Sequence, residues 1–533
     1  VSIERYVNEH AGRSGAGATV GEGTLEIETA SGEQVSVPLP EDWNSLFDLH
    51  HAFPGRARGD QREFLLAATI QDAASASGVP EDKELRKRLG EQGVLPVPDD
   101  VQRNVLASVM REHYWVRPDA SARASRPFAF PFHAAISANY KPPGRYKMYR
   151  SDILLFLCWD GQDFDHAPLE ALCNLLSDSS GFTLLDEALK DAAVQSRGEE
   201  AVTEISANAL LASTQAAKVR EYLADGAFHQ PALDRFRADL ITALEMNLPR
   251  HDRVEASILT LSLHLALYYY EVAYLLGAGL DSATHAAAGS ESPPPPPFTG
   301  LLRFRVGAAG DRPVRREDGC ASAWRQLDDR YLISLMPNLG AANLLHRVWR
   351  AARPAEAPPN ADPRALAAAL AEDSSLRSVV DVAAGVLAIV YADQEASASD
   401  SELGAIAASE QPGIYLLRST IHDHLRGELH YRSRAVVNQL VKRTFGGSLI
   451  RRRGSVLFFE LDEELLFLLV KFVLRRHGDA ELPFRQFLAG LAQYGLAPQD
   501  RDEEDELAES LERLGMLHRY SDAGEAMYVR HLL

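Results

Sequence analysis

Between Glu255 and Glu271 the chain runs for fifteen residues without a charge, and Ser257, Thr260, Ser262 and His264 are its only polar side chains. A membrane span wants about 20 consecutive apolar residues. This run, bracketed by two carboxylates, therefore predicts a buried central helix over residues 253–277. A helix apolar on all sides must be covered on all sides, so much of the remaining chain has to pack around it.

At 533 residues the chain exceeds the roughly 250–300 residues that one core usually holds, and several domains are expected. Helical periodicity marks residues 60–74, 81–91, 101–114, 152–160, 169–176, 184–193 and 200–224 before the long helix, and 343–350, 364–371 and 376–392 after it. Residues 25–29 and 34–38 alternate apolar and polar around Ser31-Gly32, which predicts a short hairpin. Three stretches read as connections. Residues 281–298 pass from small side chains into five consecutive prolines ending at Pro297, an extended segment that enters neither helix nor sheet. Residues 353–363 form a second Pro-rich gap, and residues 396–413 are rich in small side chains.

The C-terminal fifth carries two further modules. In the first, Leu416, Leu417, Ile421 and Leu425 share one helical face, Ser433 is a candidate N-cap for a helix reaching Phe445, and Gly446-Gly447 breaks it. Residues 448–450 and 456–461 then flank a tight turn at Arg453-Gly454, so helix, turn, helix and hairpin follow in winged-helix order. The second begins at the N-cap Asp462 with Glu463 and Glu464 in the first turn. A buried helix over 465–474, helices over 483–494 and 503–514, a stop at Gly515 and a hairpin around residues 521–524 complete it.

The expected class is mainly α and multidomain: a helical N-terminal and central region with a small β-hairpin, followed by two C-terminal winged-helix modules. The expected boundaries are 1–150 for an N-terminal α/β region, 151–280 for a helical domain, 281–298 for a linker, 299–395 for a second helical domain, 396–413 for a linker, and 414–461 and 462–533 for the winged helices.

Charge separates the two modules. Residues 415–455 hold Arg418, Arg426, Arg432, Arg434, Lys442, Arg443, Arg451, Arg452 and Arg453 against Asp423 and Glu428, a local +7 in a chain of −20. A concentrated basic face on an acidic protein points to a polyanion. The nine cations are candidate DNA contacts, with helix 433–445 in a major groove and the hairpin arginines on phosphates. A solvated face, or a dock for an acidic partner or for the acidic remainder of this chain, fits the same charges. The second module opens its third helix with DRDEEDE, which phosphate repels, so protein contact is its expected use.

The ending LGMLHRYSDAGEAMYVRHLL resembles the C-terminus of the DptG (DndG) family, carried mostly by the segment from Ser521 to Val529. That family serves bacterial DNA phosphorothioation-dependent restriction. The resemblance implies a subunit acting with ATPase-bearing partners, DptF and DptH, on DNA lacking the phosphorothioate mark. It brings no catalytic residues.

A second basic element lies at residues 126–150, where Phe128, Phe130, Phe132, Tyr140, Tyr146 and Tyr149 alternate with Lys141, Arg145, Lys147 and Arg150. Aromatic and basic residues interleaved in this way stack bases or grip phosphates. The Pro-rich setting favours a packing loop, and the four cations are secondary nucleic-acid candidates.

Catalytic motifs do not appear. There is no Gly-Lys pair, hence no phosphate-binding loop of the G-x-x-x-x-G-K-[ST] kind, and no G-x-S-x-G. The turn from Asp160 to His166 clusters carboxylates and an imidazole but lacks the Gly and distal Glu of a calcium loop, so a structural turn is preferred. His422 and His424 are two residues apart on a helix and point apart. Cys158, Cys173 and Cys320 are scattered, which suits a reducing cytoplasm and neither disulfides nor a thiolate zinc site. The opening VSIERYVNEHAGRSG predicts no signal peptide. No catalytic residue, metal, cofactor, small-molecule substrate or membrane contact is expected. The reading is a cytoplasmic, non-enzymatic DNA-binding scaffold subunit of an antiviral defence complex, with a kleisin-like structural bridge that uses winged helices for protein contacts as the alternative.

Overall fold

The uncharged run is the middle of helix Arg250–Ala287, whose 38 residues reach about 57 Å at 1.5 Å per residue. Residues up to Ala278 belong to one hydrophobic core, while Leu280, Ala283 and Ala286 belong to a second. The helix therefore passes through residue 280, where a domain boundary was expected, and takes in the first part of the expected 281–298 linker. The small residues there are alanines, the best helix formers, and they fit closely against the second core.

The computed structural model describes residues 3–8, 16–29, 32–43, 46, 115–116, 128–129, 152–177, 206–224, 226–290, 297–307, 313–358, 360–428, 449–520 and 526–531. The described part is mostly helical, with small sheets. The expected helices at 60–74, 81–91, 101–114 and 184–193 lie outside the described residues.

Residues 3–8 are helical. β1 (Gly17–Val20), β2 (Thr24–Glu28) and β3 (Gln34–Pro38) form an antiparallel meander that adds one strand to the expected hairpin and buries Leu25, Ile27, Val35 and Val37. β4 (Trp115–Val116) pairs with β5 (Phe128–Ala129). α1 (Asp152–Leu157), α2 (His166–Ser177), α3 (Ala207–Leu211), α4 (Thr214–Tyr222) and α5 (Gln230–Leu244) surround the front of the long helix, α6 (Arg250–Ala287).

β6 (Leu302–Val306) follows, then α7 (Gly319–Leu327), a π-helical turn over Asp328–Leu332, and α8 (Leu335–Ala352), α9 (Pro363–Glu372), α10 (Ser374–Gln394), α11 (Asp400–Ala407) and α12 (Gly413–Glu428). Helices α8 to α12, the meander and the end of α6 build the second core. α11 occupies the expected 396–413 linker. Its small residues are held in a helix by a capping box, in which the Ser399 hydroxyl accepts from Glu402 N–H and the Glu402 carboxylate accepts from Ser399 N–H.

The chain ends with β7 (Ile450–Arg453), β8 (Val456–Leu461), α13 (Glu463–His477), β9 (Glu481–Pro483), α14 (Phe484–Ala492), β10 (Leu496–Pro498), α15 (Arg501–Arg513), β11 (Leu517–Tyr520) and β12 (Ala526–Arg530). β10, β6 and β8 run parallel, and β7 closes that sheet antiparallel to β8. A second sheet has the order β11-β12-β9. Asp462 caps α13 by accepting from Leu465 N–H at 2.9 Å, and Gly478 ends that helix in the left-handed conformation.

The described parts of residues 414–461 do not share one core. The apolar face of α12 (Ile414, Leu417, Ile421 and Leu425) is built into the second core, whereas Ile450, Phe459 and Leu461 of the hairpin lie in the first. Asp252–Ala287 and Ser374–Gln394 are long and apolar enough to cross a membrane by length and composition, and most of each lies buried inside the molecule.

Candidate nucleic-acid interface

The arginines of the β7–β8 hairpin sit on the edge of the four-stranded sheet, because β7 pairs with β8 and with no other described strand. Strand alternation separates them. Arg451 and Arg453 lie opposite Phe458 and Val456, and Arg452 lies opposite Leu457 on the other face. At the tip Gly454 has φ 59°, which a side chain at that position would resist. The exposed Arg452 donates from Nε to the Gly454 carbonyl at 2.9 Å. Arg451 is turned along the sheet, with Nε 3.3 Å from Glu460 and Nη2 3.2 Å from Asp462.

Arg418 is not presented to a polyanion. It points inward from α12, donates from Nε to Asn338 Oδ1 at 2.7 Å and pairs with Asp281, which also takes Arg330 at 2.8 Å. Burial pushes the Asp281 carboxyl up, but the two guanidinium groups outweigh it and hold the acid below the usual carboxylate range. A cation so placed neutralises an internal acid. The side chain of Arg426 lies outside the described residues. So do Arg432, Arg434, Lys442, Arg443 and the expected helix 433–445, and also Lys141, Arg145, Lys147 and Arg150.

A pair of cations passed over in the sequence lies beside the hairpin tip. Val314 and Val456 both pack against the small apolar cluster of Cys320, Ala321 and Phe458, so the exposed Arg315 and Arg316 adjoin the hairpin face that carries Arg451 and Arg453, and Arg452 is on the other face. The signal was the Arg-Arg dipeptide itself, and the neighbouring Glu317 and Asp318 hid it from a count of local charge.

The opposite sign gathers on α15. Asp502, Glu504, Asp505, Glu509 and Glu512 are exposed there, while Glu503 turns inward and accepts the Val306 N–H at 2.6 Å. Burial raises the Glu503 pKa, partly offset by that hydrogen bond and by Arg305. Asp500 caps the helix by accepting from Glu503 N–H at 2.9 Å.

Groups suited to acid–base chemistry do meet inside the first core, but they are closed off. Asp239, 1% exposed, accepts from His264 Nε2 at 2.9 Å, from Arg476 at 2.8 Å and from the Tyr494 hydroxyl at 2.7 Å. Burial lowers the His264 pKa, so the imidazole is neutral and donates from Nε2. Nearby, Glu271 accepts from His229 at 2.8 Å and pairs with Arg235. These contacts join α5, α6, α13 and the segment after α14.

At the Asp160 turn, Asp160 Oδ1 accepts from Gln162 and Asp163 N–H at 2.8 Å, Asp163 pairs with Arg220 and Asp165 with Arg237. Its carboxylates are thus engaged in closing a turn. Among the described residues no group of three or more His, Cys, Asp or Glu is arranged to hold a metal. All three cysteines are buried, and burial pushes the Cys173 and Cys320 thiols up to about 11 and Cys158 higher still, so they stay protonated and unreactive. No protein-family model matches the chain, and no curated protein matches it.

Proposed function

We propose that the chain is a non-enzymatic subunit that holds duplex DNA for ATPase partners, in a cytoplasmic bacterial restriction complex of the phosphorothioation-dependent kind. The observation that carries this reading is the arginine-rich edge strand β7: Ile450-Arg451-Arg452-Arg453 stands on the rim of a sheet in a molecule of net charge −20. Phosphates are held by exposed cations, and of the three arginines on this rim Arg452 is the exposed one. The sealed Asp239 and His264 cluster supports a holding role over a chemical one. The resemblance of the chain's ending to the DptG family supplies the system and the partners resembling DptF and DptH.

The last module is best read as a winged helix. Its helix–strand–helix–helix–hairpin order and the β11-β12-β9 sheet support that reading. Its third helix presents carboxylates, so the module suits protein rather than phosphate.

A second reading, a kleisin-like bridge binding only proteins, is favoured by that acidic α15 face and by the internal pairing of Arg418 and Arg451. Duplex binding by the purified chain separates the two. The DNA reading expects saturable binding at about 50 mM salt with log affinity falling steeply against log salt. A chain that binds no duplex at that salt is the bridge instead.

A further inference from the structure

We propose that the outer face of the β11-β12-β9 sheet is a docking surface for a proline-rich strand, and that its occupant is the five-proline run at residues 293–297 of a second copy of this chain. This goes beyond the DNA reading and does not depend on it.

The face follows from register. Leu517, Val529 and Leu482 lie abreast on the three strands and are buried in the first core. Strand alternation therefore turns His518, Tyr520, Tyr528, Arg530, Glu481 and Pro483 to the opposite side. None of the six is buried: Tyr520 is 50% exposed, Arg530 and Glu481 are exposed, and His518, Tyr528 and Pro483 are half-buried. The acidic α15 lies on the core side, where Arg519 pairs with Glu512 at 3.2 Å, so the sheet separates those carboxylates from this face.

The chemistry of the face suits polyproline. Tyr520 and Tyr528 stand with ring centroids 5.4 Å apart and planes at 79°, and Tyr528 has His518 across from it on one side and Pro483 on the other. Perpendicular rings form a step against which a flat pyrrolidine ring packs. A polyproline strand has no backbone N–H, and its carbonyls find no partner within the strand. A surface that receives it must supply ring faces and hydrogen-bond donors, and needs no acceptors. Tyr528, His518 and Arg530 are donors, while the one carboxylate on the face, Glu481, accepts from the Tyr520 hydroxyl at 3.3 Å. Arg530 stands opposite Glu481 in register, so the face carries no net charge with His518 neutral. That balance fits an uncharged strand and offers a phosphate chain little.

The chain carries the matching ligand. Five consecutive prolines prefer the extended polyproline form, which is set before binding and so loses little conformational entropy on docking. Ala286, before the run, is built into the second core, and Phe298, after it, packs on Tyr274 in the first with ring centroids 5.7 Å apart. Both flanks are thus held. Pro297, the described residue of the five, is exposed. Two copies that exchange runs make the contact twice and close as a dimer.

The test is sedimentation of the full chain across concentrations, with a peptide of residues 290–300 as competitor. The unaltered chain is expected to form a dimer that excess peptide dissociates. Tyr520→Ala with Tyr528→Ala on the face, and separately Pro294→Ala with Pro296→Ala in the run, are each expected to weaken dimerisation by about tenfold or more, because a few aromatic contacts dominate such an interface. A mixture of the two variants regains one intact contact per pair and is expected to associate more tightly than either variant alone. Thermal unfolding checks that each variant is folded, and the proline variant leaves the face untouched.

A chain that stays monomeric at every concentration overturns the proposal, even if the monomer binds the peptide, because the occupant is then not a second copy. A dimer that either variant pair leaves unchanged overturns it as well. If the peptide does not dissociate the dimer and the tyrosine pair instead abolishes binding of a labelled oligothymidylate, the face takes unpaired bases and the polyproline assignment is wrong. Duplex binding is read separately, and its absence leaves this proposal standing.

Discussion

Asp328 opens the π-helical turn, and burial, followed by the charge of Asp329, raises its pKa to about 6. A carboxyl whose folded pKa lies above its unfolded value favours the fold when protonated. Stability therefore falls as pH rises from about 4 to about 6, and the deficit is complete above that window. Asp328→Asn removes the ionisation and keeps the shape. It is expected to stabilise the protein at pH 7.5 by on the order of 2 kcal/mol and to change little at pH 4, as read from urea unfolding at both pH values. Equal effects at the two pH values would contradict this account. Residue identity alone did not announce the role of Asp328, nor that of Arg418. Sequence places Arg418 in a basic window, but its partner Asp281 is 137 positions away, and charge counting within a window cannot register a carboxylate delivered by another helix.

Elements were legible where their ends carry local chemistry. The capping of α13 by Asp462, the glycine stop at Gly515 after α15 and the alternation of β2 and β3 all act over a few residues, so the pattern in the chain is also the pattern in space. β6 was missed because it pairs in parallel with β8 and β10, strands more than 150 residues later, and parallel pairing leaves no turn signal. α11 was missed because small residues look like a linker until the Ser399 capping box is noticed. Two glycines test how packing and propensity divide at this scale. Gly413 begins α12 against α10, where an added Cβ would strike the Asp381 carbonyl and lie 2.7 Å from the Gly385 nitrogen, both backbone atoms that cannot swing away. Gly404 sits inside α11 with nothing within 4 Å. Gly413→Ala is expected to destabilise by about 1–3 kcal/mol through overpacking, and Gly404→Ala to stabilise by about 0.5–1 kcal/mol through helix propensity. Denaturant midpoints of the two variants check both signs, and a neutral Gly413→Ala would show that the helices separate easily.

For the whole molecule, the decisive feature is that α6 belongs to both cores. The sequence disclosed its buried centre, but the division expected at residue 280 treated as a boundary what is a continuous helix. Composition changes there because the helix passes from large side chains in the first core to alanines in the second, not because the chain leaves regular structure. A shared helix couples the two cores: unfolding the second removes the partners of Leu280, Ala283 and Ala286, and unfolding the first strips the covering from most of the helix. Separate domains would melt separately, whereas these two are expected to melt together. Trp324 reports from the first core and Trp349 from the second. With the remaining tryptophans replaced by phenylalanine, chains retaining Trp324 or Trp349 alone should give the same urea midpoint, and a core-weakening Leu345→Ala in the second core should shift the Trp324 signal as far as the Trp349 signal. A midpoint at Trp324 that ignores Leu345→Ala would mean that α6 breaks near residue 279 and that the cores are independent after all.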